Sequence, residues 1–179
     1  MKKDEFDHAI RAAGSILGVS ELLVIGSQAA HGSLAGELPA AALRSIGVDV
    51  AAFDDRDQTK ADLIDGSIGE ASMFHETFGF YAQGVSEATA VLPAGWKDRL
   101  VAYESPATKG VVAWCLELHD LWISQAVAGR PKDFEFCRAF CDQGLVDAGV
   151  LRKRLELTSG LSDAVRVSAL SWIEPSSVL

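Results

Sequence analysis

The chain has 179 residues, 49% of them hydrophobic and 23% charged. That is enough for one domain to bury its own core without disulfides, and it excludes a wholly disordered or fibrous chain. Lys and Arg number 16 against 25 Asp and Glu, a formal net charge of −9, which argues against stable DNA binding because basic side chains carry that affinity.

The first seven residues run from charge into an amphipathic pattern without an apolar signal core, and no apolar run reaches the roughly 20 residues of a spanning helix. The expectation is a cytoplasmic protein with no membrane segment. Residues 4–17 put Phe6, Ile10, Ala13 and Leu17 on one helical face, with Gly18 as the stop. Leu22 to Ile25 is a short apolar run that reads as a buried strand turning at Gly26 and Ser27 into a small-residue helix. A loop is expected over 32–41, a strand over 46–53 and a short helix over 60–68. Residues 74–85 are aromatic and punctuated by glycine, which reads as strand and loop, and 100–103 is a further strand candidate. From Leu118 the texture becomes helical. One helix stops at Gly129, Pro131 opens the next, two more are expected near 147–157 and 162–173, and the tail is expected to be loose. The fold class expected is α/β (α+β): a mixed sheet flanked by helices in a single domain over 1–179, with a sheet-containing core over 1–112 and a helical lobe over 113–179.

Cys115, Cys137 and Cys141 are an odd number of thiols, expected to be reduced. Cys115 with His119, and Cys137 with Cys141, could supply four zinc ligands, but the spacing is not that of a common zinc motif. The reading preferred is small core side chains free of metal.

Two segments point to chemistry. In Val24-Ile25-Gly26-Ser27-Gln28, glycine permits close backbone approach, the serine hydroxyl can bond a phosphate oxygen, and a helix N-terminus favours anions. In Arg44-Ser45-Ile46-Gly47-Val48-Asp49-Val50, an acid sits within an apolar strand, where it faces solvent or is held at a site. Phosphoryl-type transfer uses convergent carboxylates to hold Mg²⁺, and positions 47 and 49 share a strand face. Position 47 is glycine. Arg99, Arg130 and Lys132 form a local basic group able to meet phosphates. His75 and Glu76 could act as an acid-base pair or cap a loop beside the aromatic cluster, and the structural role is preferred.

Gly-Ser on a short helix, followed by a strand bearing an acid-x-acid pattern, resembles the nucleotidyltransferase superfamily, including AbiEii-type toxins. The stretches Phe74-His75-Glu76-Thr77-Phe78-Gly79-Phe80-Tyr81, Leu92-Pro93-Ala94-Gly95-Trp96, Cys115 to Leu121 and Val127 to Asp133 resemble a bacterial branch without assigned function, over most of 5–155. In that branch the strand reads Ser-x-Glu-x-Asp, so Ser45 and Asp49 match while Gly47 replaces an acid; Gln125 stands where a lysine is usual. The resemblance implies Gly26, Ser27 and Asp49 in a nucleotide and metal site, Asp49 being the catalytic and metal-binding acid, with Arg130, Lys132 and Asp133 on a nearby helical segment. A third carboxylate is expected on a later strand, with Glu104 and Asp98 as candidates.

The function expected is a nucleotidyltransferase-like protein with an incomplete metal site, binding a nucleoside triphosphate or a protein partner, as a homodimer or in a toxin-antitoxin setting. The alternatives are an active Mg²⁺-dependent transferase acting on a protein or RNA hydroxyl, and a purely structural or oligomerising protein.

Overall fold

A computed structural model describes residues 1–173; the tail expected to be loose lies outside the described residues. Helix α1, Lys3–Leu17, buries Phe6, Ala9, Ile10 and Ala13, the helical spacing legible in its sequence. It ends where Gly18 turns left-handed at φ 65° and its N–H meets the Gly14 carbonyl. Asp7 is also buried, and its carboxylate accepts from the Tyr103 hydroxyl at 2.6 Å and the Ser105 hydroxyl at 2.9 Å, which satisfies a group that would otherwise be costly to bury.

Five strands follow: β1 Glu21–Val24, β2 Gly47–Ala51, β3 Tyr81–Gly84, β4 Val101–Tyr103 and β5 Val112–Cys115. They form one mixed sheet in the order β3-β2-β1-β5-β4. The central strand β1 runs antiparallel to β2 and parallel to β5, while β3 lies parallel to β2 and β4 antiparallel to β5. Leu22, Leu23 and Val24 are fully buried, because a central strand covered on both faces needs apolar residues at successive positions.

Short helices α2 (Ala30–Ser33) and α3 (Ala40–Leu43) take residues from both ends of the stretch expected as loop over 32–41. Helix α4, Thr59–Ile68, is capped from outside: the Asp55 carboxylate accepts from the backbone N–H groups of Lys60 and Ala61 at 3.0 and 2.9 Å.

Two further elements differ from expectation. Residues read as strand and loop from 74 onward begin as helix α5, Met73–Phe78. Ser72 caps it by accepting from His75 N–H, Gly79 ends it at φ 78°, and Phe74 and Phe78 pack together with ring centroids 4.8 Å apart. Caps and an i, i+4 ring pair thus outweigh the strand preference of an aromatic sequence. Strand β5 is not legible in the sequence, because four apolar residues are too few to show a period. The sheet therefore reaches Cys115, three residues beyond 112, where the sheet-containing core was expected to end.

The C-terminal helices are α6 Leu118–Ala128, α7 Pro131–Asp142, α8 Ala148–Glu156 and α9 Asp163–Ile173. Gly129 ends α6 in the left-handed region and Pro131 occupies the first turn of α7. Helix α6 packs against the other three, and its Leu121, Trp122 and Ile123 are fully buried. Among the described residues, no helix is long and apolar enough to cross a membrane.

Candidate functional site

At the end of β1 the chain turns at Gly26 into a 3₁₀ turn, Ser27–Ala29, that runs on into α2. Gly26 has an ordinary φ of −88°, so space rather than conformation calls for glycine. A Cβ added there would overlap the Asp49 carboxylate, with Cγ 2.7 Å and Cβ 3.0 Å away. The turn and the acid of β2 are thus in direct contact.

Beside that contact opens a cleft of about 360 Å³, lined by Ser27, Asp49, Tyr81, Gln125, Arg130 and Lys132 among others. Arg44, at the end of α3, Gly47 and Gln83, on the sheet, and the acids Asp133 and Glu135 of α7 also stand on its walls. An adjoining hollow of about 400 Å³ shares Asp49, Gln83, Gln125 and Arg130 and adds the apolar Ile25, Val85, Val91 and Val127, with Gly26 at its rim. One part of the cleft is therefore predominantly polar and charged, and the other mixes apolar side chains with polar ones. The start of α7 contributes Arg130 and Lys132, and helix N-termini favour anions. Burial raises the Asp49 carboxyl above its ordinary value, and the positive charges of Lys132 and Arg130 oppose that shift. Arg130 binds Asp133 through Nε at 2.7 Å and Nη2 at 3.1 Å, and Arg44 pairs with Glu135. Among the described residues, no carboxylate forms an ion pair with Lys132.

The parallel register sets Gly47 beside Tyr81 and Asp49 beside Gln83. A Cβ at position 47 would lie 2.7 Å from two Tyr81 ring atoms and 3.0 Å from its hydroxyl. The tyrosine thus covers the place from which a second strand acid would project. Glu104 and Asp98 are exposed, at the end of the edge strand β4 and in the turn before it, and neither lines the cleft. Among the described residues, no group of three His, Cys, Asp or Glu side chains is placed to hold a metal. The donor set does not fit a paired-carboxylate Mg²⁺ centre: Asp49 is a single acid flanked by two cations.

Other candidates lie elsewhere. Arg99 is turned to Asp120, donating to its two carboxylate oxygens at 2.8 and 3.1 Å, and also to the Ala94 carbonyl. Asp120 has no exposed side-chain surface and also faces Arg154 Nε at 3.0 Å; that contact is an ion pair without hydrogen-bond alignment. His75 and Glu76 sit on a helix rather than an extended segment. The His75 Nδ1 accepts from Ala71 N–H at 3.0 Å, and its ring packs on Tyr81 with centroids 4.9 Å apart. Cys115, Cys137 and Cys141 are free thiols; burial pushes Cys115 up to about 12. His119 bridges Glu117 and the Asp147 N–H.

Tyr81 and Gln83 were not singled out from the sequence. Their signal is positional, since residues on β3 that pair with 47 and 49 must share that face. A mixed sheet presenting a Gly-Ser turn and a strand acid to one cleft is an arrangement of the nucleotidyltransferase class. The chain belongs to the family described as nucleotidyltransferase of unknown function (DUF6036), which matches residues 5–174. No curated protein and no solved structure matches it.

Proposed function

We propose that this protein is a nucleotide-binding member of its family that takes a nucleoside triphosphate in the cleft beside Asp49 and transfers nucleotides poorly or not at all. The carrying observation is that Ser27, Asp49, Arg130 and Lys132 line one open cleft while Tyr81 covers Gly47. The charged part suits phosphates, with Ser27 as a hydroxyl donor and Arg130 and Lys132 as cations. The adjoining part offers the apolar Ile25, Val85, Val91 and Val127 to a base and polar side chains to a ribose. Arg99, held by Asp120, supports the fold in this reading and does not touch the ligand. A transfer reaction of this type depends on positioning and charge neutralisation, and a lone carboxylate aligns neither the attacking nor the leaving oxygen as a shared pair would.

The resemblance to AbiEii-type toxins suggests a toxin-antitoxin or phage-defence setting, so the acceptors to test are protein and RNA hydroxyls. Wild type, Gly47→Glu and Asp49→Ala are incubated with labelled nucleoside triphosphates, Mg²⁺ or Mn²⁺, and such acceptors, with binding measured in parallel. Saturable binding with negligible transfer by wild type is expected. Robust transfer abolished by Asp49→Ala would overturn the reading, as would the absence of nucleotide binding.

A further inference from the structure

We propose that the cleft holds the phosphates of its nucleotide with side-chain cations alone, the Lys132 ammonium, which lines the cleft with Asp49, serving in place of a divalent ion. The inference rests on the nucleotide-binding reading above and adds how the charge is balanced. A divalent ion that bridges protein and phosphates takes one or two carboxylates as its protein ligands. Of the acids lining this cleft, Asp133 is engaged by the Arg130 side chain and backbone N–H, and Glu135 by Arg44. That leaves Asp49. The cations that line the cleft with it at the start of α7 are Arg130 and Lys132.

The lining carries Arg44, Arg130 and Lys132 against Asp49, Asp133 and Glu135, a balanced set with no surplus of carboxylate to draw in a divalent ion, and among the described residues Lys132 is its cation outside an ion pair, open to a phosphate. Arg44 adds reserve: its pair with Glu135 is largely exposed, with side chains 66% and 50% accessible, and exposed pairs are held weakly enough to be exchanged for a phosphate. Tyr81 closes the other route, since its ring stands where an acid at position 47 would have to emerge. One consequence separates this arrangement from a metal centre. A metal-binding Asp49 aids the binding of a metal-nucleotide complex, whereas a lone Asp49 facing bare phosphates repels them.

The experiment titrates the full chain with a fluorescently labelled ATP in MgCl₂ and, separately, in EDTA. Binding in EDTA is expected to be as tight as in MgCl₂ or tighter. Asp49→Asn is expected to tighten it by roughly threefold or more in EDTA, by removing a like charge. Lys132→Ala is expected to weaken it roughly tenfold, the loss of one charge-assisted contact, and Lys132→Arg to restore most of it; residue 132 is exposed, so both variants should fold. Binding that requires MgCl₂, or that Asp49→Asn weakens, overturns the inference and leaves the nucleotide-binding reading standing. Absence of saturable binding in both buffers overturns that reading itself.

Discussion

Gly26→Ala tests the contact on which the site is built. The added methyl would lie 2.7 Å from Asp49 Cγ and 3.0 Å from its Cβ, inside the roughly 3.5–4.0 Å optimum for carbon pairs. Part of the overlap involves Cβ, which moves only with the strand, so turning the carboxylate aside does not remove it. Overpacking of this kind costs about 1–3 kcal/mol, and the smaller unfolded-state entropy of alanine returns about 0.4–1 kcal/mol. The net loss is centred at about 1.3 kcal/mol and reaches at most about 2.6 kcal/mol, and the central figure lowers Tm by roughly 3–5 °C for a chain of this size.

Thermal or urea unfolding reads this directly, with Gly66→Ala as the control. Gly66 is exposed within α4 and a Cβ there meets nothing within 4 Å, so alanine should stabilise by about 0.5–1 kcal/mol. In an Asp49→Ala background the carboxyl atoms are gone, and the Gly26→Ala loss should shrink by about 1 kcal/mol, the signature of contacting residues. Equal stability of Gly26→Ala and wild type, or an unchanged loss in the Asp49→Ala background, would refute the packing of Asp49 on Gly26.

Two further outcomes follow from the ionised groups. Burial raises the Asp49 carboxyl in the folded protein above its ordinary 3.8, so the folded state binds the proton more tightly and wild-type stability falls as pH rises through the folded value; Asp49→Asn should be the more stable form at pH 7, with the gap closing below about pH 4, and a gap independent of pH would refute this. Asp120→Ala strands Arg99 and Arg154 around a buried position and should cost about 3–5 kcal/mol in urea unfolding; Arg99→Ala, with Arg154 still opposite Asp120, should cost less and leave nucleotide affinity unchanged, and a loss of affinity would return Arg99 to the binding site.

Much of the fold is legible because helical and strand periods are local. Phe6, Ile10 and Ala13 mark α1 without reference to anything else, and Gly18, Gly129 and Pro131 bound helices through their own backbone preferences. Elements too short to hold a period escape: α5 depends on the Ser72 cap and on Phe74 meeting Phe78, and β5 on finding β1 and β4 at its sides. The same division runs through the site. Gly26, Ser27 and Asp49 carry a readable motif, whereas the partner of Arg99 is set by how α6 packs, and the neighbour of Gly47 by a parallel register. Tertiary pairing decides those, and no residue type announces it.

That register makes Gly47 and Tyr81 a single feature. An acid placed at position 47 must displace the Tyr81 ring, the outer end of a partly exposed side chain rather than backbone, so Gly47→Glu is expected to fold. The displaced ring, however, already packs on His75 and lines the cleft, so its movement alters the space in which phosphates are proposed to bind. Lys132 would then face two carboxylates with a charge suited to one. Recovering a paired-acid centre therefore calls for coordinated change at 47, 81 and 132. On the proposed reading, the glycine is one part of an arrangement in which Tyr81 fills the room of a second strand acid and Lys132 supplies the charge of an ion.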